Sequence, residues 1–249
     1  MIKANPSRLW RKILGHYFSS SIRTSFFRCM IRGEHNVKPW RIDENNNADQ
    51  IPLIIYCSHG GWWDAAIAIA ISNMRLHIES YGMMEEKQLT KYRFFTKVGM
   101  FSVHRQNVRS AMESLHYAAE LLQNSRKTLW IFPQGELVHQ EIRPIELYNG
   151  QTTLLKKLGK AYFLPIAIRY DFLQEQKPEA FISIGKPELF TWDEGKQSQY
   201  FNRVFTERLE QEMDSLRKDI LNGNMQDFSV FLQGKKSIEK SWDSIRGIE

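Results

Sequence analysis

Two cysteines in 249 residues, Cys29 and Cys57, are too few for a disulfide framework, and neither stands in a Cys-x-x-Cys or Cys/His spacing. A reducing compartment fits that usage. The longest apolar run, residues 65–71, holds seven side chains, against the roughly 20 that a helix needs to cross a bilayer. No secretory signal is expected either, since the first ten residues contain no uninterrupted apolar stretch. Proline (8) and glycine (14) are sparse, which excludes collagenous and low-complexity chains. There is no Gly-x-Ser-x-Gly elbow for a serine hydrolase and no His-Glu-x-x-His for a zinc enzyme. Neither a metal nor a cofactor is expected.

Acidic residues are nearly missing from two segments. Residues 1–41 carry nine Lys or Arg against Glu34 alone, a balance of +8 that leaves −2 for the rest of a chain whose net charge is +6. Residues 87–109 hold Lys87, Lys91, Arg93, Lys97, Arg105 and Arg109 and no acid. Such patches favour anionic partners. The first has helical order: Trp10, Ile13, Leu14, Tyr17 and Phe18 share one side, and Arg8, Lys12, His16, Ser19 and Arg23 the other. Residues 8–23 read as a basic amphipathic helix that either lies in a membrane interface or packs on the protein's own core, and the cationic polar side favours the interface.

Beyond it, strand-like and helix-like periods alternate. Strands are expected over 51–57, 76–81, 100–104, 128–132, 162–169 and 181–184, and helices over 62–74, 108–122, 152–158 and 201–220, with a polar loop at 43–50. The pattern predicts a single layered α/β domain, its mixed and largely parallel sheet flanked by helices, preceded by the amphipathic helix. Along the chain, 1–41 is expected to be the membrane-interfacial segment, 42–222 the catalytic domain and 223–249 a tail.

In such sheets the chemistry gathers where loops leave the carboxyl ends of strands, and three loops are distinctive. The first is Ser58-His59-Gly60-Gly61-Trp62-Trp63-Asp64. A loop histidine can meet an aspartate in the first turn of the following helix, which would fix its tautomer and leave the other ring nitrogen as a general base. The bland alternative is a surface pair, with Asp64 favoured only by the helix dipole. Cys57, two residues before His59, stands roughly 6.6–6.8 Å away on an extended strand, too far for a nucleophile and base in direct contact, and reads as core. The second loop ends at Arg105, whose fork can take a phosphate or carboxylate. The third, Ile131-Phe132-Pro133-Gln134-Gly135-Glu136, describes a sharp exit turn.

Taken in order, these blocks resemble the lysophospholipid acyltransferase family, which includes glycerol-3-phosphate and 1-acylglycerol-3-phosphate acyltransferases. His59 and Asp64 match its His-x4-Asp block, and Gly99 and Arg105 its Gly followed six residues later by Arg. Phe132, Pro133 and Gly135 match Phe-Pro-Glu-Gly-Ser/Thr, and Pro165 a proline in a late apolar strand. The resemblance covers about residues 50–190. It departs at Gln134, where the family usually has Glu, at Glu136, where it has Ser or Thr, and at Trp62 and Trp63, which either shape a pocket or pack inward.

The resemblance implies an O-acyltransferase in which His59 takes the proton of an acceptor hydroxyl and Asp64 orients and stabilises it, with no covalent acyl-enzyme. The donor would be an acyl-CoA or acyl carrier protein thioester. Gly99, Arg105, Phe132, Pro133, Gln134, Gly135, Glu136 and Pro165 would bind substrate. The acceptor would be a lysophospholipid or glycerol-phosphate-type lipid, or, given the departures in the third block, a glycolipid or amino-acid lipid. Work at the inner face of a membrane is expected, and nucleic acid is not expected as a partner, since no recognised nucleic-acid motif is present. The rival from another class is a non-catalytic peripheral lipid-binding protein.

Overall fold

Every residue of β2 (Leu53–Cys57) is buried, and alternation deals its side chains to two cores: Leu53, Ile55 and Cys57 join one cluster, Ile54 and Tyr56 the other. A strand with helices over both faces reads as a continuous apolar run for this reason. The computed structural model describes residues 1–42, 50–104 and 107–234. The expected loop at 43–50 lies outside these except for Gln50, as does Arg105.

β2 sits near the middle of a nine-stranded sheet. Its parallel neighbours are β5 (Thr128–Ile131) and β6 (Lys160–Asp171). Beyond β5 come β3 (Ser80–Glu85) and β4 (Met100–Val103), both parallel. On the far side, β7 (Glu179–Ile184) and β8 (Glu188–Thr191) pair antiparallel with β6, and β1 (Arg28–Arg32) and β9 (Ser229–Gln233) complete the order. The sheet is mixed and largely parallel, as expected. One layer of helices is α1 (Arg8–Ser25) and α2 (Asp64–Ile71), whose apolar residues join the first core. The opposite layer is α4 (Val108–Leu122), α5 (Gly150–Leu158) and α6 (Ser198–Leu221), in the second core. The short α3 (Glu86–Lys91) follows β3.

Each of the expected elements has a counterpart, most with shifted ends. The helix expected over 62–74 begins at Asp64 and gives way at Ser72 to a wide turn, Ser72–Leu76. His77 then takes a left-handed conformation, φ 52°, and β3 starts only at Ser80. Ser72 accepts a 2.9 Å hydrogen bond from Trp130 Nε1 under the sheet, which pins that turn.

The expected division at residues 41 and 222 cuts across the sheet. β1 lies inside 1–41 and pairs with β7, and β9 lies beyond 222 and pairs with β1. Two cations counted in the basic N-terminal segment are thereby used internally: Arg28 pairs with the buried Glu179, and Arg32 bridges Ser183 and Asp219.

The apolar arc of α1 also divides. Leu14, Phe18 and Ile22 are buried against the core, whereas Leu9, Trp10, Ile13 and Tyr17 remain exposed. The helix therefore has two apolar strips, one for its own protein and one unpartnered. Among the described residues no helix is long and apolar enough to cross a membrane.

Candidate active site

The parallel strands β2, β3, β4, β5 and β6 bring their carboxyl ends to one edge, where the His59 and Phe132 loops emerge. Ser58 stays with the sheet, its N–H donating to Ile166 O at 3.1 Å and its Oγ accepting from Ile168 N at 3.0 Å. His59 is thus the first residue free of β2. Its backbone is held from the third loop: the N–H donates to Gln134 Oε1 at 2.7 Å, and the carbonyl accepts from Val138 N at 2.9 Å. Its ring stacks on Phe132, centroids 4.5 Å apart. With backbone and ring both fixed, Nδ1 meets Asp64 Oδ2 at 2.9 Å.

Asp64 has no exposed surface. A buried carboxylate needs several donors, and this one has three: His59 Nδ1 and Gly61 N on Oδ2, and the Tyr170 hydroxyl on Oδ1. Burial, and after it the neighbouring Asp64 charge, hold the Tyr170 phenol well above its ordinary pKa, so it stays protonated and donates. Tyr170 is itself clamped, its backbone exchanging two hydrogen bonds with the Gln140 side chain, at 3.0 and 3.1 Å. A Cβ at position 61 would lie 2.7 Å from the Tyr170 ring, so only glycine lets the loop pass there. The sequence reading missed Tyr170. Nothing in spacing marks it; the only available signal was that an aspartate opening so apolar a helix as α2 would be buried and need a donor from across the sheet.

Of the His59 ring nitrogens, Nδ1 is committed to Asp64, and Nε2 has no hydrogen-bond partner among the described residues. With 22% of the side chain exposed, that nitrogen is open to a substrate. Such an arrangement has the chemistry a general base requires, a tautomer fixed at Nδ1 and a second ring nitrogen left free.

Phe132, Pro133 and Gln134 gather behind His59, and Gly135, at φ 74°, turns the chain so that its N–H reaches Phe132 O at 3.0 Å. Glu136 is exposed and lines an open hollow of about 340 Å³ together with Gln134, Val138, Ile145, Glu146 and Tyr148. Two expected site residues, Gly99 and Pro165, are not brought to this cluster. Gly99 lies at the start of β4, the end away from the site, where a Cβ would come within 2.7 Å of Ser80 O; its place is structural. Pro165 is buried within β6, opposite Tyr56, where β6 changes partner from β8 to β7 and a missing N–H is tolerated. Arg105 lies outside the described residues. Cys57 is fully buried and burial raises its thiol pKa, with Asp64 adding to the effect, which fits the core reading. The two tryptophans part company: Trp63 packs inward against Phe26, and Trp62 is 71% exposed.

A family model, Acyltransferase, matches residues 29–169, a span that includes both His59 and Asp64. The chain belongs to the acyltransferase family. It is an enzyme that requires an acyl donor and an acceptor. No curated protein matches this acyltransferase in sequence. Among solved structures, it is similar to the 1-acyl-sn-glycerophosphate (LPA) acyltransferase PlsC from Thermotoga maritima, with a TM-score of 0.53 and 14% identity over 81% of this chain and 78% of that one. At that identity the likeness is one of fold.

Proposed function

We propose that this acyltransferase moves a fatty acyl group from the thioester of an acyl-CoA or acyl carrier protein to a hydroxyl of a lysolipid, with His59 as the general base. The observation that carries this reading is the open Nε2 on a ring whose Nδ1 is tied to a buried carboxylate. Nε2 takes the hydroxyl proton as the oxygen attacks the thioester carbonyl. Asp64 stabilises the imidazolium so formed. The carbon–sulfur bond then breaks, and the proton passes from Nε2 to the departing thiolate, giving one ester and one free thiol. Phe132, Pro133, Gln134 and Gly135 serve by holding the base in place. Arg105, following β4, is assigned to an anionic group of one of the two substrates.

The test is acceptor-dependent thiol release from palmitoyl-CoA and from palmitoyl carrier protein, with mass spectrometry of the lipid. One new ester per thiol is expected; acyl release to water alone, with no ester formed, would overturn the lipid-acceptor reading.

A lipid acceptor has to be reached in its membrane, and the second part of the proposal is peripheral binding to the inner, cytoplasmic face. Leu9, Trp10, Ile13 and Tyr17 of α1 form an exposed strip, flanked by exposed Arg8, Lys12 and Arg23. Beneath it the buried Phe18 stacks on Phe95, and Phe95 on Phe94, which sets the strip beside the second basic segment, where Tyr92, Phe94, Lys91 and Arg93 are exposed. Each cation near an anionic surface contributes about 1 kcal/mol, screened within a Debye length of about 10 Å at 0.1 M salt. Co-sedimentation with anionic vesicles should therefore fall as salt rises. A Trp10→Glu/Ile13→Glu variant, altered only on the outward strip, should fold normally and lose binding even at low salt. Equal sedimentation of the wild type with neutral vesicles would reject the electrostatic part.

A further inference from the structure

The hollow beside the base carries information about the acceptor. It is formed by the segment that returns from β5 to α5, and this segment is firmly seated: Tyr148 N donates to Pro133 O at 2.8 Å, Ile145 N to Glu210 Oε1 at 2.7 Å, and Asn202 Nδ2 to Leu147 O at 3.0 Å. Two of its lining residues, Gln134 and Val138, are the same residues that hold the backbone of His59. A head group lodged there sits against the two residues that fix the backbone of His59, one residue removed from the ring itself.

The charged groups of the hollow are of one sign, beside the Tyr148 hydroxyl and the Gln134 amide. Glu136 and Glu146 line it, neither has an ion-pair or hydrogen-bond partner among the described residues, and no Lys, Arg or His is among the lining residues. Gln134 supplies a second, independent sign. Its side chain is only 5% exposed, and while Oε1 is committed to His59 N, Nε2 has no hydrogen-bond partner among the described residues. On a side chain so nearly buried, that amide N–H keeps only a narrow opening and is left for water or a ligand in the hollow to satisfy. The hollow thus offers two unneutralised carboxylates to hydrogen-bond donors and one amide N–H to an acceptor oxygen.

We infer that this hollow is the acceptor head-group site and that it selects a head group rich in hydrogen-bond donors and free of net negative charge, a polyol or an ammonium group, over a phosphate monoester. The inference rests on the lipid-acceptor reading above and adds the chemical class of the acceptor. Hydroxyls of a polyol satisfy both carboxylates, and one hydroxyl oxygen satisfies the Gln134 amide; an ammonium satisfies the carboxylates with charge complementarity. A phosphate dianion at hydrogen-bond distance from the same groups meets like charge on two sides, and repulsion of that kind outweighs the single bond from Gln134.

The experiment uses the full chain and three soluble probes with one tail: octyl glucoside, octylammonium chloride and octyl phosphate, each titrated calorimetrically below its micelle concentration. Octyl phosphate should bind at least about tenfold more weakly than the better of the other two, and which of those two is tighter separates polyol from ammonium. In Glu136→Gln/Glu146→Gln, both positions being exposed and neither in the core, the gap should close by about tenfold with circular dichroism unchanged. Octyl phosphate binding as tightly as the others would overturn the inference. So would a preference that survives the double substitution, or failure of all three probes to bind. In parallel, turnover is compared on lysolipids of one chain length bearing a hexose, an ammonium or a phosphate monoester. A higher kcat/KM for either of the first two supports the assignment, and lysophosphatidate as the best acceptor by a large margin counts against it. Absence of ester from every lysolipid, with the probe preference intact, would sink the lipid-acceptor reading and leave the pocket's selectivity standing.

Discussion

His59→Ala should lose about 10² to 10⁴ in the rate of acyl transfer, the usual worth of a positioned general base, equivalent to about 3 to 5 kcal/mol of barrier. The fold should survive. Gln134 and Val138 hold the backbone of position 59, which alanine retains, and the side chain contributes one ring contact, to Phe132, worth about 0.5 to 1.5 kcal/mol. Asp64 keeps its bonds from Gly61 and Tyr170. Thiol-release rates, with thermal melting as the control, check both halves, and near-normal turnover would sink the mechanism.

Asp64→Asn should cost at least about 10² in kcat while preserving shape. The carboxylate accepts three donors with its two oxygens; a carboxamide has one oxygen and one N–H₂, so at least one donor must turn away. If the amide nitrogen faces His59, Nδ1 has to accept, the proton moves to Nε2, and the base is blocked. If it faces Tyr170, the tautomer is kept, but the imidazolium loses its counter-charge. Leaving a buried donor unsatisfied costs about 1 to 3 kcal/mol of stability. Tyr170→Phe orders the contributions, since it removes only the third donor and leaves the His59–Asp64 bond in place; its loss of rate should be the smaller of the two. Steady-state kinetics on both variants read this ranking, and an Asp64→Asn enzyme with near-wild-type kcat would remove Asp64 from the mechanism.

Much of the sheet was legible because its central strands are buried on both sides. β2, β5 and β6 are dense apolar runs, and α4, with one buried face, matches its expected span of 108–122. β1, β8 and β9 were missed for the converse reason. β1 ends in arginines whose partners, Glu179 and Asp219, come from far along the chain, while β8 is short and mostly exposed and β9 is short with a single buried residue. The His59 and Asp64 pairing could be read from a loop next to a helix start, because both residues are local. Tyr170 could not, because it reaches Asp64 across 106 positions. The split of the α1 arc also lay beyond a helical wheel, which tells apolar from polar but not which apolar strip finds a partner.

Gln134 joins the base and the hollow in one side chain, and this sets what can be changed separately. Glu136 and Glu146 touch only the hollow, so exchanging them alters acceptor choice and should register in KM. An exchange at position 134 disturbs the anchor of His59 at the same time, and kcat moves with it. An enzyme of this design can drift among head groups through its carboxylates at little cost in turnover, whereas a route through position 134 must pass through slower intermediates.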